Sequence, residues 1–599
     1  MLRHVFSSSR PGIGRVATRL ATATAAVAVV LSSSLFAIAA GPLDLVPENA
    51  GVVVRLKSPD ATITKVGNFL NQVQPTLGFL AQGQAPALGI GISNPTMAGV
   101  DLKQDWVIAV FPVVNAEPAV VFVVPSTDAD AMKAAIGDSF SFATKDSWVA
   151  YSQDEAIIEL VEDLAGGNGK AVSMDRRAAG VFDGGDLSVY VNAASLTETY
   201  KDQLAQADTQ LELFIEGIKT QIPPQQGLNL GPIFDIYGDM AKGLLQAVRD
   251  SESLSAALAV SNEGITIDEL VLVKAGSGTD EALQVHKPGD LAILNRLPQD
   301  KAGYMALHMD LKALVKWGMN LATSFAEGTK DSDDENLKKV AELIEKFKGV
   351  MDEFDDVELG SAGWAFDLKQ GEAGILQAYT VSEAKPAEKM REVTQKMSGL
   401  GQIQLPGMTQ EIKVEPAAEK YGDLSADVIR VKQEFTEDAD PLGIQKEMQK
   451  LLYGEEGMVQ RVIIKDNHVI QTLGGDQETM KELLAAFDAP ADATTLSASK
   501  KARNGLLEQA NFVGLIDLPS LAVTGLSIAG KTGQLPIPVP LDGIENVKVQ
   551  PSYVGFAIGT EPQGLRCRTQ ISVGTVRGFM AIAAFFRQGG GRPRQNQGF

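Results

Sequence analysis

The sequence contains one literal match to a phosphate-binding loop, at residues 525–532, which read Gly-Leu-Ser-Ile-Ala-Gly-Lys-Thr. In such a loop the backbone amides hold phosphates, Lys531 would reach them and Thr532 would bind magnesium. That chemistry requires the loop to follow a strand directly and to open a helix. Here the predicted strand at residues 511–518 ends well before the match, and several prolines follow it closely. Proline disrupts a helix interior, so we predict a helix over residues 519–530 that stops at a glycine and binds no nucleotide.

Histidine and cysteine, which often bind metals or act as bases, are scarce in this chain. They are His4, His286, His308, His468 and the single Cys567. No two of them have the spacing of a metal site, and the histidines do not define a Ser-His-Asp set. His308 is predicted to lie on a strand, where a packed or rim histidine is the simpler interpretation.

Acidic residues match part of a calcium-loop pattern. Asp331, Asp333, Glu335 and Glu342 fall at offsets 1, 3, 5 and 12, but the glycine required at offset 6 is Asn336. An apolar stripe at helical spacing follows, formed by Leu337, Val340, Ile344 and Phe347. The pattern therefore favours a solvated helix start. We nominate no catalytic, cofactor-binding or metal-binding residue and no cofactor from the sequence.

Composition limits the classes of function. A chain of 599 residues is too long for one ordinary domain. Its formal net charge of −22 repels phosphate backbones, so nucleic acid is not an expected partner. Six basic residues near the C-terminus contrast with this charge: Arg566, Arg568, Arg577, Arg587, Arg592 and Arg594.

Residues 1–40 have the organisation of an export signal. Arg3, Arg10, Arg15 and Arg19 precede an apolar run at residues 20–40, and the start holds no acidic residue. Residues 37–39 read Ala-Ile-Ala, the small-x-small form of a cleavage site. We predict an exported protein, periplasmic or extracellular. An uncleaved membrane anchor is the alternative, because the run nearly spans a bilayer core of ~30 Å.

Two stretches with the same layout organise the rest of the chain. One begins at Pro47 and reaches a strand after Gly51, and the other begins at Pro298 and reaches a strand after Gly303. A helical pattern follows each strand, from about Asp60 to Leu80 in the first stretch and from Asp310 in the second. Further segments correspond in the same order: residues 106–124 with 364–381, the hairpin at Asp146 with that at Asp466, residues 153–164 with 476–487, residues 186–191 with 511–518, and residues 254–273 with 553–573.

This repeat of about 250 residues predicts a duplicated domain. Most strands join by hairpins. One long helix is predicted with an apolar stripe that runs from Leu196 through Tyr200 to Ile222, and it ends at Pro223 and Pro224. We therefore predict an α+β fold with mainly antiparallel sheets covered by amphipathic helices. The predicted limits are copy 1 at residues 41–280, copy 2 at residues 281–587 with insertions near 331–356 and 402–458, and a disordered tail at 588–599.

The chain resembles large exported bacterial proteins of an uncharacterised family. The motifs that carry the resemblance lie near Pro47, Asp146, Pro298 and Asp466: a Pro-x-x-x-Gly turn, with one residue more before the glycine at Pro298, then a strand, a helix, and hairpins with Asp-Asn or Asp-Ser turns. The resemblance covers most of residues 43–580. It implies the architecture and brings no activity, ligand or catalytic residue.

The leading hypothesis for function is a non-enzymatic binding or structural protein of the cell envelope or the medium. One alternative is a carrier of an apolar small molecule, which a deep apolar pocket would favour. Another is a hydrolase with a site assembled from scattered residues, which a cleft of perturbed titratable groups would favour.

Overall fold

The computed structural model describes residues 41–83, 85–221, 231–329, 335–351, 356–398, 402–405, 407–490, 498–532, 541 and 543–587. The predicted signal peptide, the predicted tail, Asp331, Asp333 and the prolines at 223, 224, 536, 538 and 540 lie outside these ranges. Within them, helices accompany antiparallel strands, so the predicted α+β class is confirmed. No helix among the described residues is both long and apolar enough to cross a membrane.

Backbone contacts divide the chain into two compact units. Among the described residues, unit 1 holds 41–199 together with 253–270, and unit 2 holds 200–252 and 271–587. The predicted limit between residues 280 and 281 remains a hypothesis from the sequence.

Unit 1 is built on an antiparallel sheet in which β1, the first strand of the chain, is an internal strand. The strands are β1 Val52–Leu56, β2 Trp106–Phe111, β3 Ala119–Pro125, β4 Ser141–Lys145, β5 Trp148–Ser152, β6 Leu187–Val191 and β7 Ser251–Val260, and β8 Gly264–Val273 follows. They pair antiparallel in the order β4-β5-β3-β2-β1-β6-β7. The helices are α1 Pro59–Val73, α2 Gly78–Gln82, α3 Ala85–Gly91, α4 Ala129–Ile136, α5 Glu155–Ala165, α6 Arg176–Gly184 and α7 Ala193–Thr199.

The core of unit 1 follows from the sequence of its strands. β1 reads Val-Val-Val-Arg-Leu, and four of its five residues are buried. Leu56, Trp106, Val124 and Tyr151 belong to one apolar cluster, and the buried hydroxyl of Tyr151 donates to the carbonyl of Ile92 at 2.6 Å. The strands pack on α4 in this cluster. The hydroxyl of Tyr151 keeps a hydrogen bond inside it, as buried polar groups normally do.

Unit 2 is the larger of the two. Its strands are β9 Gly303–Leu307, β10 Glu358–Leu368, β11 Leu376–Lys385, β12 Gln402–Leu405, β13 Met408–Tyr421, β14 Leu424–Phe435, β15 Met458–Lys465, β16 His468–Gly474, β17 Phe512–Ile516, β18 Val554–Glu561 and β19 Gly564–Ser572. They pair antiparallel in the order β12-β13-β14-β15-β16-β11-β10-β9-β17-β18-β19. The predicted insertion at residues 402–458 supplies β12, β13 and β14.

The helices of unit 2 begin before its first strand. They are α8 Lys201–Gln221, α9 Gly231–Asp250, α10 Gly278–Gln284, α11 Leu311–Thr329, α12 Glu335–Met351, α13 Ala387–Ser398, α14 Ile444–Tyr453, α15 Gln477–Asp488, α16 Ala498–Asn504, α17 Leu518–Thr532 and α18 Val573–Arg587. The core cluster includes Tyr304, Tyr379, Met480, Phe487 and Tyr553, so the sheet packs on α15.

Several predicted boundaries are shifted. The helix expected from Asp60 to Leu80 ends at Val73, where the chain turns before the short α2. The predicted hairpins at Asp146 and Asp466 are present. Asp466 and Asn467 both have positive φ, as a two-residue type I′ turn requires.

In unit 1, Asp186 joins three strands at the start of β6. Its backbone N–H donates to the carbonyl of Leu258 at 2.7 Å, and its own carbonyl accepts from the N–H of Lys57 at 3.0 Å. Its carboxylate accepts from the N–H of Val260 at 2.7 Å. One buried residue, through its backbone and its carboxylate, thus fixes the ends of β1, β6 and β7.

In unit 2, Asn511 makes the same three contacts at the start of β17. Its N–H donates to the carbonyl of Ile558 at 2.7 Å, and its carbonyl accepts from the N–H of His308 at 2.7 Å. Its side-chain oxygen accepts from the N–H of Thr560 at 2.7 Å. The shared contacts and the shared central strand order support the duplication, which superposition of the two units would test.

Candidate functional site

Helices α8 and α9 of unit 2 pack as an antiparallel pair with a register fixed by side chains. Lys242 pairs with Glu212 at 3.1 Å. Near the other end, the guanidinium of Arg249 donates to the carbonyl of Leu204 at 3.1 Å and pairs with Asp208. The helices approach closely at a glycine: a Cβ on residue 238 would lie 2.8 Å from Cδ1 of Ile215.

One side of this pair is apolar and open to solvent. At 100° per residue, the contacts above place five large side chains on the same side of both helices. They are Phe214 on α8 and Tyr237, Met240, Leu244 and Val248 on α9, and they are between 48% and 70% exposed. We call this set the hairpin face. Among positions 203–218 and 237–248 of the two helices, this side carries no charged residue, and α8 adds Gln203, Ala207 and Gln210 to it.

The opposite side of the pair is charged. It carries Glu212, Glu216, Asp239 and Lys242, all exposed, so it is acidic overall. Burial of one apolar face against the unit's own core is the usual reason for an amphipathic helix. On these helices the uncharged side faces solvent instead, which makes it the candidate interaction site.

The match to a phosphate-binding loop lies inside a helix. Residues 525–532 form the last half of α17, and the carboxylate of Asp517 caps that helix by accepting from the N–H of Ser520 at 3.1 Å. The helix predicted over residues 519–530 is therefore present, and it continues to Thr532. Backbone amides that belong to a helix interior cannot form a phosphate cradle, so the motif has no site of the kind its pattern describes.

The second half of the calcium-like pattern is also helical. Glu335 and Glu342 belong to α12, while Asp331 and Asp333 lie outside the described residues. The described part of the chain holds no group of three residues able to bind a metal ion.

His468 serves the hairpin that contains it. Its Nδ1 lies 2.7 Å from the carbonyl of Asp466, and its ring contacts Phe487 edge-on with centroids 5.1 Å apart. These contacts hold the turn against α15 and give the histidine a structural role.

His308 contacts a serine, a pairing that the sequence did not indicate. Its Nδ1 lies 2.8 Å from Oγ of Ser361, beside the irregularity in the pairing of β10 with β11. The ring packs on Gly289, where a Cβ would lie 2.8 Å from it. Glu383 accepts from the backbone N–H of Ser361 at 3.2 Å. In a serine hydrolase the carboxylate instead orients the histidine, so this cluster supplies two of the three usual parts.

Lys301, two residues before β9, is a buried member of a polar network whose carboxylate, Glu482, is 45% exposed. Its ammonium pairs with Glu482 at 2.6 Å, and the hydroxyl of Tyr379 donates to the same carboxylate at 2.7 Å. The hydroxyl of Tyr553 donates to the Lys301 carbonyl at 2.6 Å. Burial, followed by the hydrogen bond to Glu482, raises the pKa of Tyr379 far above its ordinary value. The tyrosine therefore stays protonated and acts as a donor.

A cleft of about 300 Å³ lies between the turn joining β10 to β11 and helix α14. Its lining includes Glu372, Glu447, Lys450 and Glu455, and Lys450 pairs with Glu455. Sites for apolar ligands are lined mainly by apolar and aromatic side chains. This charged cleft does not match the carrier hypothesis.

Comparisons with known proteins add little to this description. No protein-family model matches the chain, and no curated protein matches it significantly. Among solved structures, crystal form III of TP0453 shows 9% identity over 48% of this chain and 97% of its own, with a TM-score of 0.20. Crystal form IV shows 10% identity over 51% and 100%, with a TM-score of 0.19. Scores this low carry no argument about fold or function.

The hairpin face was missed in the sequence because the apolar residues of the long helix were interpreted as a single stripe, on a helix of the kind predicted to cover a sheet. Leu204, Leu211 and Ile218 do lie half-buried, as that interpretation requires. Phe214 falls between them in the sequence and points elsewhere. The sequence did contain a signal for the face. Gln203, Ala207 and Gln210 are uncharged, and their spacing of four and three residues places them on the same side of the helix as Phe214.

Proposed function

We propose that this chain is an exported, non-enzymatic binding or structural protein that contacts another protein through the hairpin face. The observation that carries the proposal is the group of five large side chains, 48–70% exposed, on an uncharged side of α8 and α9. Contiguous apolar patches of more than a few hundred Å² on a soluble protein mark interaction sites.

The area of the hairpin face is consistent with this proposal. Aromatic side chains offer roughly 150–250 Å² when fully exposed and aliphatic ones less, so two aromatic and three aliphatic side chains that are half to two-thirds exposed leave on the order of 500 Å². Removing that area from water contributes about 10 kcal/mol before the costs of association are subtracted. A partner is the simplest reason for a chain to retain such a surface.

Photo-crosslinking tests whether the face is in contact with a partner. We would place a benzophenone amino acid at position 244 and irradiate cells that make the protein. The matched control is position 442, a leucine that is 80% exposed and lies outside the two helices. We expect an adduct of discrete mass from position 244 that is absent from position 442. Equal yields from both positions would contradict the proposal.

Export is part of the same proposal, and the Arg-bearing start with its apolar run supports it. We expect a mature N-terminus near Ala40. N-terminal sequencing of protein from the envelope or medium would check this, and an intact Met1 on cytosolic protein would contradict it.

A hydrolase is the second candidate, favoured by the 2.8 Å contact between His308 and Ser361. A serine activated by histidine reacts with fluorophosphonates. The control variant is Ser382→Ala, on the neighbouring strand β11. Labelling that is lost in Ser361→Ala but kept in the control would establish this alternative. We expect no labelling, because Glu383 contacts the serine amide rather than orienting the histidine.

A further inference from the structure

We infer that the occupant of the hairpin face is a second copy of this chain, so that two α8–α9 pairs meet as a four-helix bundle. This inference rests on the function proposed above and names the partner. It is argued from the distribution of charge, from the symmetry of a helix pair and from the area that the face offers.

The distribution of charge is the first argument. The chain has a formal charge of −22, so most of its surface would repel a second copy. The hairpin face carries no charged residue among positions 203–218 and 237–248, while Glu212, Glu216 and Asp239 lie on the far side. Two copies that meet through this face keep those carboxylates apart.

The geometry is the second argument. An antiparallel helix pair presents a flat surface, and two such surfaces related by a twofold axis are self-complementary. Packing two antiparallel pairs produces the layout of a four-helix bundle. Phe214, Tyr237 and Leu244 would then lie in the centre of the interface, where aromatic and apolar side chains contribute most to binding.

The area is the third argument. A standard interface buries ~800 Å² on each partner. The five large side chains supply on the order of 500 Å², and Gln203, Ala207 and Gln210 extend the same surface along α8. The total approaches that of a stable dimer of moderate affinity.

Other occupants fit the face less well. A basic partner would find no carboxylate on it, because the acidic residues of both helices lie on the opposite side. Helices that bind membrane surfaces usually carry lysine and arginine on their polar side, which attract anionic lipids. Here the polar side presents Glu212, Glu216 and Asp239, and these would be repelled.

Sedimentation velocity of the full chain tests the inference. We expect a reversible monomer–dimer equilibrium at concentrations of about 1–100 µM, which correspond to an interface of moderate affinity. Leu244→Lys should weaken dimerisation at least tenfold, because it places a charge in the centre of the interface. Leu244 is 70% exposed in the single chain, so the variant retains its fold.

Two matched variants serve as controls. Ala205→Lys adds the same charge on the charged side of α8, and Leu442→Lys makes the same substitution on a leucine that is 80% exposed elsewhere. Both should dimerise like the parent. Equal weakening by all three variants would overturn the inference, because it would show only the effect of added charge.

The outcomes separate this inference from the proposed function. A parent that stays monomeric throughout, but whose position 244 crosslinks to a different protein, overturns the inference and leaves the proposed function standing. A monomer that instead sediments with phosphatidylcholine or phosphatidylglycerol vesicles also overturns it, since the occupant is then lipid. A monomer with neither crosslink nor vesicle binding overturns both.

Discussion

Lys301 is the clearest example of a buried charge that depends on one partner. Its side chain is 10% exposed and pairs with Glu482 at 2.6 Å, while the ring of Tyr379 lies 4.9 Å from the ammonium. Glu482→Ala would leave that ammonium unpaired. We expect unfolding in urea to show a loss of about 2 kcal/mol, because an unpaired buried charge costs more than the pair contributes.

The control for this variant is Glu478→Ala on the same helix. Glu478 pairs with Lys481, and both side chains are more than half exposed. Exposed pairs contribute less than about 1 kcal/mol. If the two variants lose the same free energy of unfolding, the burial of Lys301 has no energetic consequence. The interpretation that Lys301 depends on Glu482 is then wrong.

Asp427 should make unit 2 sensitive to acid. Burial alone would raise the pKa of this carboxyl, but hydrogen bonds from Arg391 and from the backbone N–H of Ala417 outweigh it, so the pKa lies below the ordinary 3.8. A carboxyl whose pKa is lower in the folded than in the unfolded protein stabilises the fold at pH values above its unfolded-state pKa. This contribution is lost as the pH falls through the folded-state pKa.

The test is Asp427→Asn, compared with the parent between neutral pH and pH values below 3.8. We expect the variant to lose about 1–3 kcal/mol at neutral pH, the usual value for a hydrogen-bonded charge. The difference should shrink as the medium becomes more acidic. Asp423→Asn, in an exposed turn, is the control. A difference that stays constant with pH would contradict the account.

At the scale of single residues, sequence patterns indicated which residue types could carry chemistry but not which residues contact one another. The scarcity of histidine led to no predicted metal site. His308, which was predicted to lie on a strand, instead follows the last residue of β9, Leu307. Its contact with Ser361 could not be foreseen, because 52 intervening residues and an irregular strand pairing bring the two together. Pairings of this kind depend on register, which a single sequence does not specify.

At the level of elements, the turn between β10 and β11 depends on one glycine. Gly374 has φ of +85°, and a Cβ there would lie 2.3 Å from the carbonyl oxygen of Leu452 at the end of α14. Gly374→Ala should therefore lose about 2 kcal/mol through strain and displacement of α14, seen as a lower midpoint of thermal unfolding.

Gly371→Ala in the same turn is the matched control. The nearest atom to a Cβ at Gly371 is 3.6 Å away, an ordinary contact distance. We expect this variant to unfold with the parent. The account of the turn fails if Gly371→Ala is the more damaging of the two.

Element types were more predictable than their ends. Asp128, Asp154 and Asp476 precede helices and accept from the first helical amides, and such caps are visible in sequence. The helix through Tyr200 was predicted as continuous, yet α7 ends at Thr199 and α8 begins at Lys201. The apolar spacing continues across this break, so periodicity alone could not locate it.

For the whole molecule, the duplication is the most extensive prediction from the sequence. The sequence layout predicted that the two units superpose with Gly51 on Gly303 and Asp146 on Asp466. The strand pairing corrects the first match by one residue: Leu56 pairs with Leu187 as Leu307 pairs with Phe512, which matches Val52 with Gly303. The shared contacts predict in addition that Asp186 falls on Asn511. Strands β12, β13 and β14 should lie outside the common frame. If one rigid-body fit cannot overlay the matched strands, the duplication and its predicted limits both fail.

The central claim is that the hairpin face is covered when the protein is in its natural compartment. The most direct measurement is the rate of maleimide labelling of single cysteines at positions 240, 244 and 442, in a chain whose Cys567 is replaced by serine. We predict that positions 240 and 244 react at least about tenfold more slowly in intact cells than in dilute purified protein, since burial excludes the reagent. Position 442 should react equally in both. Equal rates for all three positions in cells and in dilute protein would contradict the claim.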